Sequence, residues 1–189
     1  MVASGDALNG KPPCSNAFFF AIPLPPPLQQ TLNQWRAGHF SSQAGRPIAA
    51  ANLHLTLAFL GDVGSAQQQR LQTLAGRIRQ APFSLTLDDA GQWPRPGVVW
   101  LGIRRAPRGL IQLAELLRSQ AARSGCYQSP SPFHPHVTLL RHAYQPVAIP
   151  AATFRWTFDV THFSLFSSQQ AQGRIRYQPL ARWPLRRDD

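Results

Sequence analysis

Two copies of one short pattern carry the chemistry that this chain could perform. The first pairs His54 with Thr56 and the second pairs His136 with Thr138, and each copy lies in an apolar run typical of a β-strand. Residues i and i+2 of a strand project to the same side, so each copy presents an imidazole and a hydroxyl on one face. Two such strands side by side would form a pocket with two titratable bases and two hydroxyl donors. This set of groups can cleave a phosphodiester without a metal ion.

The chemistry requires one neutral histidine and one protonated histidine. Hydrolysis needs a base that deprotonates water on one side of phosphorus and an acid that protonates the leaving oxygen on the other side. Imidazole, with an ordinary pKa near 6.5, serves either role near neutral pH. The hydroxyls of Thr56 and Thr138 can donate to the non-bridging oxygens and stabilise the charge that develops there. The two motifs are nearly equivalent, so their spacing does not tell which histidine is the acid. A matched pair in a basic chain argues against two ordinary core histidines.

Other residues with possible chemistry are less persuasive. His134 and His136 flank a proline, but no Cys or carboxylate lies near them in sequence, and zinc sites need three or four ligands. Adjacent acids Asp88 and Asp89 at a strand end would point opposite ways, so a turn is expected there. We therefore predict no metal and no cofactor. Two further histidines each precede a Phe-Ser pair: His39 lies in a polar stretch past a helix end and is expected to be solvated, and His162 lies in a predicted strand without a matching partner copy.

Four segments, with both motifs among them, carry a resemblance to a known family. They read FFAIP at 19–23, NLHLTLAFLG at 52–61, LTLDDAGQW at 85–93 and FHPHVTLLR at 133–141. With its two His-x-Thr motifs, the chain resembles the 2H phosphoesterase superfamily, and more narrowly the bacterial RNA 2′,3′-cyclic phosphodiesterases, long called 2′-5′ RNA ligases. The likeness runs from about residue 17 to residue 185.

The resemblance implies a function and roles for the motif residues. It implies metal-independent hydrolysis of RNA 2′,3′-cyclic phosphate ends, tRNA fragments among them, to 2′-phosphate ends. His54 would be the proton donor to the leaving 3′-oxygen, and His136 would be the proton acceptor that activates water. The reverse reaction would join RNA ends through a 2′-5′ linkage. The family pattern also places a basic residue at Arg141, which would hold the phosphate.

Substrate contacts and competing functions remain open at this point. We predict that three side chains stack on the base or ribose: Phe20, Arg176 and Tyr177. The two motifs would contact only the phosphate, so they do not distinguish an RNA-end substrate from a 2′-5′ oligonucleotide or another small cyclic nucleotide. A non-catalytic RNA-binding module that merely grips phosphate is a further alternative.

Composition favours an intracellular partner of nucleic acid. The 189 residues carry a net charge of +11, and all the cations but Lys11 are arginines. Arginine binds phosphate bidentately and stacks on bases, so this surplus suits RNA. A GC-rich genome would explain arginine over lysine but not the net charge. Cys14 and Cys126 are too few for a disulfide framework, and the sequence shows neither a signal peptide nor a membrane span. We expect a cytoplasmic monomer.

The order of elements predicts one α+β domain of two similar lobes. Residues 1–16 are expected to form a disordered extension and residues 17–187 the domain. A helix followed by a motif strand occurs in both halves, which suggests antiparallel-rich sheets lining a central cleft with helices outside. Ser65 and Gln68 give a capping-box signal at one helix start. Continuous alternating strands are predicted over 83–90 and over 154–166.

Overall fold

The computed structural model describes residues 17–187, so the predicted disordered extension at 1–16 lies outside the described residues. This part of the chain contains three α-helices: α1 (Pro26–His39), α2 (Ser65–Gly76) and α3 (Arg108–Arg123). It contains ten strands: β1 (Ala17–Pro23), β2 (Arg46–Pro47), β3 (His54–Gly61), β4 (Phe83–Leu87), β5 (Asp89–Trp93), β6 (Val98–Gly102), β7 (His136–Arg141), β8 (Trp156–Val160), β9 (His162–Ala171) and β10 (Arg174–Pro184). None of the described helices has the length and apolar character needed to cross a bilayer.

The two motif strands are neighbours at the centre of one antiparallel sheet. The strand order is β10-β9-β1-β3-β7-β6-β5, with the short β2 also paired to β7, and β4 pairs with β8 in a separate ribbon. β3 and β7 pair through Leu55 and Val137. One half of the sheet is thus built around β3 and the other around β7, and the halves meet at the motifs. The predicted α+β class with antiparallel sheets is confirmed.

The core lies on the side of the sheet that the helices cover. Leu55 and Val137 are fully buried there. α3 packs against β3 and contributes buried side chains at helical spacing: Leu110, Leu113, Ala114, Leu117 and Ala121. Burial of one such leucine stabilises the fold by about 1.5–3 kcal/mol. The helices therefore seal one face of β3 and β7 and leave the other face free to carry polar side chains.

Local boundaries differ from the sequence predictions in two respects. The capping box at Ser65 and Gln68 is wrong: α2 is capped one residue earlier, where the Gly64 N–H donates to Gln67 Oε1 at 3.3 Å. The strand predicted over 83–90 is broken between β4 and β5 by Asp88, whose Oδ1 accepts the Arg104 N–H at 2.9 Å. A local hydrogen bond thus sets the start of α2, whereas a bond between residues 16 apart sets the break between β4 and β5.

The strand predicted over 154–166 is also two strands. β8 pairs with β4, whereas β9 pairs with β1 and β10 in the central sheet. The change of partner falls at Thr161, whose carbonyl accepts the Leu185 N–H at 2.8 Å. The apolar alternation follows even-numbered residues up to Val160 and odd-numbered residues from Phe163 onward. This shift of phase across Thr161 and His162 is the sign in the sequence that the chain passes from one sheet to the other.

Candidate active site

The structure brings the four motif side chains together on the open face of the sheet. Leu55 and Val137 point into the core, so the residues on either side of each point the opposite way. Because Leu55 and Val137 are antiparallel partners, His54 lies across from Thr138 in the register, and His136 lies across from Thr56. Each histidine therefore faces the threonine of the other motif.

Matching hydrogen bonds orient the two imidazoles. His54 Nδ1 lies 2.7 Å from the carbonyl oxygen of Asn52, and His136 Nδ1 lies 2.7 Å from that of His134. A carbonyl oxygen only accepts, so Nδ1 carries the hydrogen in both rings and Nε2 is free to exchange a proton. His54 Nε2 lies 3.0 Å from Thr56 Oγ1, and in a neutral ring it accepts the hydroxyl hydrogen.

The surroundings keep both histidines neutral in the free protein near pH 7. The pKa of His54 is lowered to about 4: burial is the largest cause, the bond to Asn52 opposes it, and the charges of Arg141 and His136 add smaller lowering contributions. Burial also lowers the pKa of His136, with a smaller contribution from the charge of His134. A histidine that is to donate a proton here needs a nearby negative charge to raise its pKa.

A β-bulge turns Arg141 toward the motif face. Trp100 of β6 is partnered with Thr138, but Val99 is partnered with Leu140, so Leu139 is an extra residue in β7. The bulge shifts the alternation by one residue. Leu140 then points into the core and Arg141 joins the face that carries His136. Simple alternation from His136 would have placed the guanidinium on the wrong side of the strand.

Two donors hold this bulge. The Leu139 carbonyl oxygen accepts the Ile48 N–H at 2.9 Å and Nη1 of Arg36 at 3.0 Å. Arg36 is a buried cation on α1, 6% exposed, and its Nη2 also donates to Asn33 Oδ1 at 2.8 Å. The helix thus reaches across to fix the backbone between Thr138 and Arg141.

The first motif strand carries the same bulge with a different side chain at its end. Ala21 of β1 is partnered with Thr56 and Phe20 with Ala58, so the residue between the latter two, Leu57, is the extra one. Phe59 consequently points to the motif face, where it is 45% exposed. It occupies the position that corresponds to the arginine after the second motif.

Aromatic rings flank each motif histidine. The rings of His54, Phe19 and Tyr177 form a cluster in which the centroid of His54 lies 5.0 Å from that of Phe19 and 5.1 Å from that of Tyr177. The ring of His136 packs edge-on against Trp93 at 4.8 Å. Arg141 Nη2 donates to the Tyr177 hydroxyl at 3.3 Å, which ties the arginine to the wall beside His54. The site is therefore a basic pocket between aromatic walls.

Comparison with known proteins agrees with this geometry. A family model described as LigT-like phosphoesterase matches twice in succession, at residues 22–100 and 101–177. The chain belongs to the LigT-like phosphoesterase family. The resemblance to 2H phosphoesterases is confirmed, and the double match confirms the two similar lobes.

Relatives of this LigT-like chain are similar over most of its length. It is 62% identical over 167 residues to the RNA 2′,3′-cyclic phosphodiesterase of Escherichia coli K12, which covers 88% of this chain and 95% of the relative. The crystal structure of E. coli LigT complexed with 3′-AMP superposes with a TM-score of 0.87 at 60% identity, covering 90% and 98% of the two chains. That of TT0787 from Thermus thermophilus gives 0.76 at 26% identity, covering 92% and 100%.

Of the predicted substrate-binding residues of this LigT-like domain, two lie away from the site. Phe20 is 1% exposed and packs in the core against the rings of Phe163 and Trp183, so its assignment to substrate is wrong. Arg176 precedes Tyr177 on β10, and strand alternation turns it to the opposite face. Tyr177 and Arg141 do lie beside the motifs.

Several residues of the pocket were not identified from sequence. Phe19 takes the place that had been assigned to Phe20, and Phe59 and Trp93 were not singled out. Trp100 lies flat over Gly91 and Gly102, and a Cβ at either glycine would clash with the indole. Strand pairing was the missing signal, because it decides which face each of these side chains occupies.

The remaining histidines and acids lie in other surroundings. His39 ends α1 and stacks on Trp35 with the centroids 4.7 Å apart, and His162 Nδ1 lies 3.3 Å from the Thr161 hydroxyl. The carboxylate of Asp89 accepts the N–H of Ala90 at 2.9 Å. Within residues 17–187, no three His, Cys, Asp or Glu side chains form a group able to hold a metal ion.

Proposed function

We propose that this chain hydrolyses RNA 2′,3′-cyclic phosphate ends to 2′-phosphate ends by a two-histidine acid/base reaction that needs no metal. The observation that carries the proposal is the matched pair of imidazoles, each with Nδ1 tied to a carbonyl and each facing the other motif's threonine. Family membership supports it, as does the activity named for the E. coli relative.

In the proposed reaction, the phosphate sits between the two motifs. The hydroxyls of Thr56 and Thr138 and the guanidinium of Arg141 bind its non-bridging oxygens. His136 Nε2 takes a proton from water, and the water oxygen bonds to phosphorus. The bond from phosphorus to the 3′-oxygen breaks, and His54 Nε2–H protonates that oxygen. Each proton transfer contributes typically ~10²–10⁴-fold to the rate.

Because the pKa of His54 is low in the free protein, the bound substrate itself must favour the protonation of this histidine. The free protein holds His54 neutral near pH 7, with its Nε2 accepting from Thr56. The negative charge of a bound phosphodiester raises the pKa of His54 and favours its protonation. Protonation turns Nε2 into a donor, which releases the Thr56 hydroxyl to donate to the phosphate. Substrate binding and the protonation of His54 are thereby coupled.

The same groups can also transfer the cyclic phosphate to an alcohol instead of water, in the same direction of ring opening. A 5′-hydroxyl that attacks the cyclic phosphate in place of water forms a 2′-5′ linkage, with His136 as base and His54 as acid. Water greatly exceeds RNA ends in concentration, so hydrolysis dominates unless two ends are held together. We take single-stranded RNA ends, such as tRNA fragments, as the substrates, a single chain as the active unit and the cytoplasm as the compartment. A free, buried thiol at Cys126 fits a reducing compartment.

The roles of the two histidines can be tested with leaving groups of different basicity. A nucleoside phosphodiester with a p-nitrophenolate leaving group needs no protonation of that group, whereas a ribose oxygen does. We expect His54→Ala to retain most activity on the p-nitrophenyl ester and to lose it on the cyclic phosphate. His136→Ala should lose activity on both substrates. The opposite pattern would reverse the roles, and turnover of 2′-5′ oligonucleotides without turnover of cyclic phosphate ends would overturn the proposed substrate.

A further inference from the structure

A second concentration of positive charge lies outside the motif pocket. It is a cavity of about 430 Å³ where the β4–β8 ribbon meets the segment that follows β6. We call it the arginine cavity, and its lining residues are Thr86, Asp88, Ile103, Arg104, Arg105 and Arg155. Three guanidinium groups and one carboxylate thus share one concave surface.

The carboxylate in the arginine cavity has a structural role. Asp88 Oδ1 accepts the backbone N–H of Arg104 at 2.9 Å, and the Asp88 N–H donates to the carbonyl of Gly102 at 3.1 Å. These two bonds fasten the turn before β5 to the segment that carries the arginines. Even with Asp88 fully ionised, three arginines leave the cavity with a surplus of positive charge. Its three arginine side chains are all exposed and available to an anion.

The arginine cavity lies close to the second motif along the sheet. Gly102 is the partner of His136 on one side and of Asp89 on the other. Neighbouring strands are about 4.8 Å apart, so the backbone of Asp89 lies roughly 10 Å from that of His136. Arg104 and Arg105 come two and three residues after Gly102, at the end of the sheet where β7 begins. A stacked strand of nucleic acid advances about 3.4 Å per nucleotide, so a few nucleotides span this distance.

We propose that the arginine cavity binds a backbone phosphate of the RNA strand, a few nucleotides upstream of the cyclic-phosphate end. The inference rests on the proposed function, because it takes the end of the same RNA to lie between the motifs. One guanidinium group can donate two parallel hydrogen bonds to the oxygens of a phosphate. Three guanidinium groups around one cavity therefore suit a single phosphodiester. The motif pocket then recognises the 2′,3′-cyclic phosphate, and the arginine cavity makes the protein bind RNA more tightly than a single nucleotide.

The test compares two substrates on one variant. In Arg104→Gln/Arg105→Gln/Arg155→Gln, kcat/KM for a short RNA with a 2′,3′-cyclic phosphate end should fall about tenfold or more, mainly through KM. The kcat/KM for a mononucleoside 2′,3′-cyclic phosphate should stay within about twofold of native. The salt dependence of RNA affinity should also become shallower, by about 0.7 in log–log slope for each lost phosphate contact.

The control removes equal charge elsewhere. Arg70→Gln/Arg77→Gln/Arg123→Gln changes exposed arginines on and beside the helices and should leave the ratio of the two kcat/KM values unchanged. An equal loss on both substrates, no loss on RNA, or the same loss in the control would overturn the arginine cavity as a phosphate site.

Direct binding separates this inference from the proposed function. Fluorescence anisotropy with an RNA that ends in a 3′-hydroxyl measures the affinity of the protein for RNA without any turnover. If native protein hydrolyses neither substrate, the proposed function fails, yet weaker RNA binding by the cavity variant alone would still support the phosphate site. Equal binding by native protein and both triple variants would overturn it.

Discussion

Arg36 contacts no motif side chain, yet it should matter for catalysis. Its guanidinium lies 3.0 Å from the carbonyl oxygen of Leu139, the extra residue of the bulge that turns Arg141 toward the motif face. Arg36→Met keeps much of the apolar volume and removes this bond. The carbonyl keeps the Ile48 N–H as its remaining donor. The bulge should therefore persist but lose part of its support.

The bond to the Leu139 carbonyl sets the expected losses, because the bond to Asn33, which Arg36→Met also removes, does not support the bulge. A buried hydrogen bond from a charged donor contributes about 1.5–3 kcal/mol, so Arg36→Met should lower the free energy of unfolding by about that amount. A shift of about 1 Å in a positioning group can cost ~10²-fold in rate. We expect kcat/KM on a cyclic phosphate to fall about 10- to 100-fold, measured well below the unfolding transition. Urea denaturation gives the first quantity and steady-state kinetics the second.

A double-mutant cycle distinguishes positioning from general loosening. If Arg36 acts through Arg141, adding Arg36→Met to Arg141→Ala should lower kcat/KM little further, although the stability cost remains. Asn33→Ala removes the other side-chain bond of Arg36 without touching the bulge, and should leave kcat/KM nearly native. Native kcat/KM in folded Arg36→Met, or additive losses in the double variant, would refute the reasoning.

Three further predictions test the site and its surroundings. The folded pKa of His54, about 4, lies below its ordinary 6.5, so the unfolded chain binds more protons between these values and stability falls as pH drops through this window, by up to roughly 3 kcal/mol. Urea denaturation at a series of pH values should show a larger loss in native protein than in His54→Gln, which keeps the loss due to His136; equal slopes would contradict the prediction. Thr138→Val should lower kcat/KM about 10²–10³-fold with the fold intact, and a native rate would argue against the hydroxyl as an oxyanion donor. Phe20→Ala should lose about 3–5 kcal/mol of stability, whereas Phe19→Leu should chiefly raise KM; thermal unfolding and kinetics that gave the reverse would place the wrong ring in the pocket.

The motif residues could be predicted because their arrangement is local. His54 and Thr56 share a face through strand alternation alone, and the same holds for His136 and Thr138. The repeat of one pattern at equivalent places also indicated two lobes, which the double family match confirms. Nothing beyond a few neighbouring residues was needed for these predictions.

The side chains that depend on strand pairing could not be predicted. The orientation of Arg141 depends on the bulge at Leu139, which exists only in the pairing of β7 with β6. Phe18, Phe19 and Phe20 form an unbroken apolar run and all three are buried, so the sequence does not show which ring flanks His54. The shared face of each motif pair is thus a local property of this sequence, whereas the pocket walls come from contacts between distant segments.

The most direct test of the account is the reaction itself in the presence of a chelator. Purified protein, His54→Ala and His136→Ala are each incubated in EDTA with an RNA that ends in a 2′,3′-cyclic phosphate, and the position of the product phosphate is determined. We predict full conversion to a 2′-phosphate end by native protein and loss of conversion in both variants. A reaction that EDTA abolishes, or that survives either substitution, would contradict the metal-independent two-histidine mechanism.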